Sequence, residues 1–474
     1  MELLYSLAGF AIGFGFRPLG AALFGYLGDR LGRKYTFLAT IVLMGAATAG
    51  VGLTPSAASI GIAAPVILIL LRIAQGLALG GEYGGAAIYV AEHAPPGRRG
   101  FFTSFIQAGV IGGFILSLIV VVGTQWIVGK AVWDDWGWRL PFIFSLALLA
   151  ISLWMRLMLR ESPIFAAMKA AGEQSRNPLK EAFTYPGNKR RMLVAMIGIA
   201  AGFTVIAYTV MFQALYFLQN GLHVAPGIAQ LLVGGSAFAG VAAFIFFGWL
   251  SDRVGRKKPI VIGYALVLLL LMPLYQFMGS VANPALYRAA ERAPVIVSGP
   301  DCSFDPFAKV QPTVCGKLLD HFSKRGIAYE KREAATPSVS VGSVAVADLS
   351  AEGLDAALHA AGYESAPVTP DWPRALLLFL ALLLLWTLSG ATYGPVAALL
   401  SEYFPARIRY SSLSIPYHIG TGYFGGFLPL VSQYIVARTG DPYAGLWYTI
   451  AVVAVALLTC IVALPETRGA AMDA

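Results

Sequence analysis

Two charged side chains share one face of a long apolar segment, where charge is costly and therefore informative. Arg72 and Glu82, with Gln75 between them, lie in the run 65–93, which is apolar enough to cross a bilayer. On an ideal helix the three fall within an arc of about 80° and along about 15 Å of the axis. Arginine holds a carboxylate through two hydrogen bonds, so this stripe suits a water-filled cavity that binds a charged solute. The alternative is that each charge pairs with a neighbouring helix and only stabilises the bundle.

The wall of such a cavity would draw on polar and aromatic side chains of several segments. The run 65–93 itself adds Tyr83, and three other apolar runs contribute Gln107, Tyr208 and Tyr393. Aromatic residues at helical spacing usually belong to a packed core, so packing is the alternative for each of them.

Two further polar residues inside apolar runs have weaker claims. Arg17 precedes Pro18 toward the end of its run, where a long side chain can reach the membrane interface. His418 lies in the run 413–436, and a buried, neutral, hydrogen-bonded imidazole is the default expectation for it. Proton handling is the alternative for this histidine.

One motif occurs twice, as GYLGDRLGRK at 25–34 and GWLSDRVGRK at 248–257. Such a repeat indicates two related halves, each with a short basic turn between membrane spans, as in many secondary transporters. The matching residues are Gly25, Asp29, Arg30, Gly32 and Arg33 in the first copy and Gly248, Asp252, Arg253, Gly255 and Arg256 in the second.

A second pair of landmarks follows the same duplication. Glu92 and Arg99 have the spacing of Glu402 and Arg409, at an offset of 310 residues, whereas the motif copies are 223 apart. The difference indicates extra sequence within the second half. We expect these acidic and basic groups to form an ion-pair network that closes one side of the membrane and breaks when the halves rock. The alternative is that the basic residues only fix the topology.

The composition is that of a membrane protein. The chain of 474 residues is 57% apolar and 12% charged, about half the charge of a typical soluble domain. The sequence therefore predicts an all-α polytopic membrane protein with eleven spans. They lie near 4–24, 35–54, 65–93, 101–123, 138–159, 192–219, 226–250, 259–279, 373–400, 413–436 and 443–464.

The net charge of +9 is distributed in a way that excludes nucleic acid as the partner. Most Lys and Arg residues lie in alternate connections, among them both copies of the motif and the loop 160–191. The short connections on the other side hold only Lys130, Arg139 and Arg438. This bias predicts that the repeated turns and the C-terminus are cytoplasmic.

The two halves are expected to differ by one helix. The second motif follows two spans of its half, 192–219 and 226–250, whereas only 24 residues precede Gly25. We therefore expect the first half to lack a helix that the second half has, with Met1 an internal start or a truncation.

A polar segment interrupts the second half at 280–372, on the side that topology makes external. It contains Cys302 and Cys315, which an oxidising compartment would allow to pair; two unpaired thiols are the alternative. Strands are expected at 295–298 and 339–346, and amphipathic helices at 316–326 and 350–363, the latter capped by Ser350. A small α+β domain follows from this pattern.

The sequence divides accordingly. We expect an N-terminal bundle (1–159), a central cytoplasmic loop (160–191), a C-terminal bundle in two parts (192–279 and 373–464), the external insert (280–372) and a cytoplasmic tail (465–474).

These motifs resemble those of the major facilitator superfamily. RESPIF (160–165) and PETRG (465–469) are similar to motifs that close each six-helix half in its sugar-porter-like branch, and RIAQGLALGGEYGGAAIYVAEHAPPGRRG (72–100) and FRPLG (16–20) resemble its metabolite:proton symporters. The resemblance implies the major facilitator fold of twelve spans, here eleven, in a bacterial inner membrane. It also implies symport of organic acids, osmolytes or related metabolites with protons.

We therefore expect a monomeric proton-coupled carrier of a small polar metabolite, an organic acid above all, with no cofactor. In this hypothesis Arg72 binds the anion and Glu82 is its protonatable partner. A sugar or osmolyte carrier of the same fold, or a sensor that uses its external domain, is the alternative. An enzyme is excluded because the sequence has no histidine cluster, nucleophile motif or metal-site spacing.

Overall fold

The computed structural model describes residues 12–158, 161–308, 310–364 and 366–472. Within these ranges nine helices are long and apolar enough to cross a membrane, and they are the second to ninth and the eleventh of the predicted spans. We keep these ordinal names. The helices are Arg33–Leu53, Ala63–His93, Arg99–Val128, Gly137–Leu157, Asn188–Gly221, Pro226–Val254, Lys257–Ala282, Trp372–Tyr403 and Leu446–Ala463.

The two other predicted spans are helical but shorter or interrupted. The first span includes the helix Arg17–Leu31, which extends past the predicted end at residue 24. Residues 12–15 are also helical, and residues 4–11 of the predicted range lie outside the described ranges. The tenth span consists of Arg409–Ile419, a wider π-helical stretch at Gly420–Gly426, and Leu428–Thr439. The π-helical stretch coincides with the sequence GTGYFGG, in which few side chains support a regular α-helix.

The sixth span also departs from a regular helix. It contains three π-helical stretches, Ala195–Ala201, Thr209–Gln213 and Phe217–Gly221, separated by ordinary α-helix. Such turns are rare and are frequently found at functional sites. The sixth and tenth spans are therefore the first places to look for one.

Glycines allow the spans to approach closely. A Cβ at Gly20 of the first span would lie 2.0 Å from the carbonyl oxygen of Leu77 in the third, so these backbones touch. The fourth and seventh spans cross in the same way, because a Cβ at Gly248 would lie 2.6 Å from the carbonyl oxygen of Gly100. The first of these contacts joins spans of one half, and the second joins the halves.

The insert is a small α+β unit with its own core. Its four strands are β1 (Val295–Gly299), β2 (Tyr329–Glu333), β3 (Ser338–Val341) and β4 (Val344–Ala345), in the order β2-β1-β3-β4. β1 is parallel to β2 and antiparallel to β3. Its helices are Pro284–Arg292, Val314–Lys324 and Ala351–Ala360, and the hydroxyl of Ser350 caps the last by accepting from the Gly353 N–H at 3.2 Å.

Two details of the insert differ from expectation. The run 339–346 is not one strand but parts of β3 and β4, which reverse at Gly342, where φ is +63°. Strand β2 was not predicted, because its sequence YEKRE is mostly charged and exposed. It is held as an edge strand by pairing with β1.

The close contact of the first and third spans is testable. We expect Gly20→Ala to lower the free energy of unfolding by about 1–3 kcal/mol, because the added methyl group meets backbone that must move. Unfolding in detergent, followed by circular dichroism, measures it. The control is Gly109→Ala, where the structure has open space and the gain in helix propensity leaves stability unchanged or higher. Equal stabilities of the two variants would contradict this packing.

Candidate functional site

The aspartates of the two motif copies bind backbone of the opposite half. Asp29 accepts hydrogen bonds from the N–H groups of Tyr410 and Ser411, at 3.2 and 2.9 Å, where the tenth span begins. Asp252 accepts from the N–H groups of Gly100 and Phe101, both at 2.8 Å, where the fourth span begins. Each carboxylate thus meets the partial positive charge at a helix N-terminus.

Two buried glutamates sit beside these contacts and pair with arginines of both halves. Glu92 pairs with Arg33 of its own half at 3.1 Å and with Arg409 of the other half at 3.0 Å. These three side chains are almost completely buried, so each charge depends on the others for compensation.

Glu402 repeats the arrangement in the second half. It pairs with Arg256 at 3.0 Å within its half and with Arg99 of the first half at 3.6 Å. Arg256 also bonds Asp252 at 2.6 Å, which joins the glutamate to the aspartate. We call the residues Asp29, Arg33, Glu92, Arg99, Asp252, Arg256, Glu402 and Arg409 the gate network.

Each copy of the motif also contacts one glutamate, to which the sequence analysis gave no role. Glu161 of RESPIF accepts from the N–H of Arg33 at 3.2 Å, and Glu466 of PETRG accepts from that of Arg256 at 2.8 Å. Gly32, beside the Glu161 carboxylate, has a φ of +116°, a backbone conformation that favours glycine. The sequence signal for this shared role was that both RESPIF and PETRG, which follow the last span of each half, contain a glutamate.

The environment of Glu466 favours its charged form. Burial alone would raise the pKa of this carboxyl, but N–H donation from Arg256, Arg468, Lys257 and Thr467 outweighs it and lowers the pKa. The eighth span therefore begins at a carboxylate that stays ionised near neutral pH.

The remaining motif residues lie at the edge of the network. Arg30 donates to the hydroxyl of Tyr26, and the guanidinium of Arg253 lies 3.9 Å from the ring centre of Trp249. Gly25 packs against Ser411, where an added Cβ would lie 3.1 Å from its Cα. Arg30 and Arg253 thus contact aromatic rings of their own turns, whereas Gly25 allows the first span to approach the tenth closely.

In the middle of the bundle, aromatic side chains from both halves meet. The rings of Tyr83 and Tyr417 stack with centres 3.9 Å apart, and the hydroxyls of Tyr417 and Tyr393 lie 3.1 Å apart. Phe203 stacks on Tyr393 at 4.1 Å, and Gln107 donates to the Tyr83 hydroxyl at 2.9 Å. We call these five residues, together with Tyr208 and Arg17, the central cluster.

Four residues of the cluster follow the internal repeat, and we call them the tyrosine frame: Tyr83, Gln107, Tyr393 and Tyr417. Tyr83 and Tyr393 are 310 positions apart, as are Gln107 and Tyr417. Each hydrogen-bonded pair therefore has its counterpart in the other half, in the same third–fourth and ninth–tenth arrangement. Tyr417 was not among the predicted residues, although this offset would have found it.

Arg17 brings the cluster its positive charge. Its guanidinium lies 3.5 Å from the ring centre of Phe14 and interacts with the hydroxyl of Tyr208, and Tyr393 and Tyr417 lie near it. The sequence analysis treated Arg17 as a residue that can reach the interface, because it precedes Pro18 toward the end of the predicted run 4–24. The helix in fact continues to Leu31, which places Arg17 well inside the bundle.

The polar stripe predicted on the third span does not belong to the central cluster. Glu82 pairs with Arg156 of the fifth span at 2.7 Å, and Arg72 is exposed, bonding Gln75 at 3.2 Å. Gln75 in turn donates to Thr48 at 2.9 Å. The structure therefore does not bring Arg72, Gln75 and Glu82 together with the other predicted wall residues.

A cavity of about 670 Å³ opens at the end of the bundle opposite the gate network. The outer parts of the sixth and tenth spans form one wall, where Gln433 donates to Gln213 at 2.9 Å. The insert forms the other wall with Lys324, Arg325 and Tyr329. The cavity thus lies beyond the central cluster on the sixth span, with Gln213 five residues past Tyr208.

The insert is fixed to this end by several contacts. Tyr329 donates from its hydroxyl to the carbonyl of Ala437 at 2.9 Å, and His223 bonds the carbonyl of Arg325 at 2.8 Å. Within the insert Cys302 and Cys315 are joined, with their Cα atoms 4.9 Å apart. Among the described residues no group of three or more His, Cys, Asp or Glu is arranged to hold a metal ion.

Comparison with known proteins agrees with this architecture. The family model described as Major Facilitator Superfamily matches residues 2–328. The inner membrane metabolite transport protein YhjE of Escherichia coli (strain K12) is 29% identical over 472 residues, covering 98% of this chain and 85% of that protein. The proline/betaine transporter of Salmonella typhimurium is 36% identical over 286 residues, which are 59% of this chain and 57% of its own length.

A solved structure shows the same fold. The proton:xylose symporter XylE, bound to 6-bromo-6-deoxy-D-glucose, matches with a TM-score of 0.62 and 17% identity. The match covers 99% of this chain and 88% of that one.

The gate network makes a stability prediction. We expect Glu402→Gln to lower the free energy of unfolding by about 3 kcal/mol or more, because Arg256 keeps a buried charge with a weakened partner. Titration with a denaturing detergent measures the loss. The control is Glu330→Gln, which removes an exposed pair with Arg332 and costs about 1 kcal/mol or less. A loss no larger than the control's would mean that the buried network contributes little to stability.

Proposed function

The chain belongs to the Major Facilitator Superfamily, and from that membership we propose that it carries a small organic anion together with protons. Transport of metabolites or osmolytes is the common activity of its relatives. The solute class, the proton coupling and the orientation given below are our proposals.

The observation that carries the proposal is the charge of the central cluster. Arg17 is a cation among neutral hydrogen-bonding groups contributed by both halves. Among the described residues, the membrane-embedded carboxylate Glu82 is already paired with Arg156, outside the cluster. In the described part of the chain, Arg17 has no carboxylate partner, and such a site favours a solute that brings a negative charge.

We transfer the anion-binding role from Arg72 to Arg17. Arg72 keeps the guanidinium that the hypothesis required, but it is exposed and lies in the third span away from the tyrosine frame. Arg17 has the surroundings of a ligand-binding arginine, with phenol groups that can hold the second end of the solute.

In this proposal, the gate network opens and closes one end of the bundle during transport. It joins the halves at one end of the bundle, while the other end holds a cavity of about 670 Å³. We assign the gated end to the cytoplasm, because the basic loops lie there, and the insert to the outside. Breaking the network would open the central cluster inward, which is alternating access.

A neutral sugar or osmolyte is the second candidate. The stacked aromatic pairs Tyr83–Tyr417 and Phe203–Tyr393 favour it, since flat apolar faces bind sugar rings or apolar solute surface without charge. Proline and betaine, the solutes in one relative's name, each carry a carboxylate, whereas xylose does not. The effect of replacing Arg17 on uptake therefore distinguishes an anionic solute from a neutral one.

Uptake into proteoliposomes tests the choice. With a panel of pyruvate, lactate, succinate and 2-oxoglutarate, we expect at least one to enter under an inside-alkaline gradient. Arg17→Gln should reduce that uptake at least about 100-fold, since it removes the charge-assisted bonds of the solute. Arg72→Gln is the matched control and should retain uptake within about twofold. Unchanged uptake by Arg17→Gln, or uptake of xylose alone, would favour the neutral candidate.

The gate is tested by access to a buried position. Ser414 lies in the tenth span beside Gly84, fully buried just inside the network, and Ser414→Cys would report its opening. With Cys460→Ser as background, we expect Asp252→Asn to raise labelling by a membrane-impermeant thiol reagent from the cytoplasmic side at least about tenfold. Asp355→Asn in the insert is the control. Equal labelling of both variants would mean that the network does not hold this end closed.

A further inference from the structure

His418 is a buried titratable group without a partner in the described part of the chain. It is 1% exposed, and neither ring nitrogen has a hydrogen-bond partner. The hydroxyls of Thr204 and Thr421, on the same two spans that carry π-helical stretches, are also buried and unpartnered. Buried polar groups are nearly always hydrogen-bonded, so this set has the character of a site prepared for a ligand.

The charged groups that face His418 are few. Arg17 of the first span acts on it electrostatically. The other titratable groups of the surrounding cluster are tyrosines, Tyr83 from the third span, Tyr208 from the sixth, Tyr393 from the ninth and its own neighbour Tyr417. The carboxylate of Asp29 faces the start of the tenth span, about two helical turns away along that helix. Among the described residues, the electrostatic environment of His418 therefore includes the Arg17 guanidinium and no paired carboxylate.

We infer that His418 binds the transported proton, and that the carboxylate of the solute makes this binding favourable. The inference rests on the proposed function, because it requires an organic anion at Arg17. Without the anion, protonation would place an imidazolium beside a guanidinium in a buried site, which is costly. A carboxylate held between them accepts bonds from both, so the anion and the proton bind together.

The step involves no covalent change beyond one N–H bond. A proton from water outside adds to the free ring nitrogen of neutral His418, and the resulting N–H donates to a carboxylate oxygen of the solute. When the anion leaves on the inner side, the imidazolium again faces Arg17 alone and returns its proton to water. One anion and one proton cross together.

Linkage gives the direction of the pH dependence. If the anion raises the proton affinity of His418, the proton raises the anion affinity by the same factor. Anion affinity is then highest at low pH and falls as the pH rises and the imidazole loses its proton. Pyruvate and lactate are almost fully ionised at pH 6 and above, so a change in their affinity between pH 6 and pH 8 belongs to the protein.

The test uses the purified chain and the panel of pyruvate, lactate, succinate and 2-oxoglutarate. Calorimetric titration at pH 7 in two buffers of different ionisation enthalpy counts the protons taken up per anion bound. In the wild type we expect net uptake of protons, and affinity at least about tenfold higher at pH 6 than at pH 8. His418→Gln can still hydrogen-bond the anion but cannot take a proton. It should bind with no proton uptake and with affinity that changes less than about twofold over this range.

Two further variants complete the experiment. His93→Gln is the control, because that imidazole is exposed and bonds only the carbonyl of Tyr89. It should behave as the wild type. In proteoliposomes, His418→Gln should lose accumulation driven by a pH gradient while retaining anion exchange at equal pH, and His418→Asn repeats the test with a smaller amide.

The outcomes separate the two proposals. If no panel member binds the wild type, the organic-anion function is wrong, and the His418 inference fails with it. If the anion binds but the wild type takes up no proton, or His418→Gln keeps the proton uptake and the gradient-driven accumulation, only the His418 inference fails.

Discussion

A helix that begins in the buried interior of a protein presents N–H groups that need hydrogen-bond acceptors. In this chain, each half supplies such acceptors to the other half. The fourth and tenth spans each begin at a carboxylate of the opposite half. Each half depends on the other for the start of one of its spans. In the described part of the chain, the ion pairs between the halves lie at this same end. Carboxylate–amide contacts of this kind can be replaced by water when they open, unlike a packed apolar interface. The same residues can therefore hold the bundle closed and release it.

Much of the fold follows from sequence, because lipid imposes a simple rule on composition. Long apolar runs must be helices, and their number and order were predictable. What hydropathy does not encode is the internal regularity of a helix. The π-helical stretch of the tenth span packs closely on the sixth span, as at Gly425, where a Cβ would lie 2.0 Å from Thr204. The edge strand Tyr329–Glu333 escaped prediction for the opposite reason, since pairing rather than apolar character makes it a strand.

For the functional site, the sequence predicted which types of side chain are present more accurately than it predicted which residues each side chain contacts. A helical wheel shows that Arg72 and Glu82 share a face, but not which helix that face meets. Glu82 faces Arg156, 74 positions away, so the alternative of a stabilising pair describes its contact. The gate network was easier to foresee, because duplication marks a residue and its partner twice, and chance does not repeat such spacing. Arg17 was undervalued because the end of its helix was placed too early.

The internal repeat also separates structural residues from those that give the site its chemistry. The gate network and the tyrosine frame have counterparts in both halves, as expected of parts that any solute would need. At the offsets of 223 and 310, Arg17 corresponds to Gly240 and His418 to Ala108. The central charge and its unpartnered imidazole thus break the symmetry of the duplicated frame. Glu82 also lies in one half alone, since Thr392 takes its place in the other, but Glu82 is paired with Arg156. Among the described residues Arg17 and His418 have no carboxylate partner. The symmetry of the chain therefore points to the same two side chains as the burial and the electrostatics of the cluster.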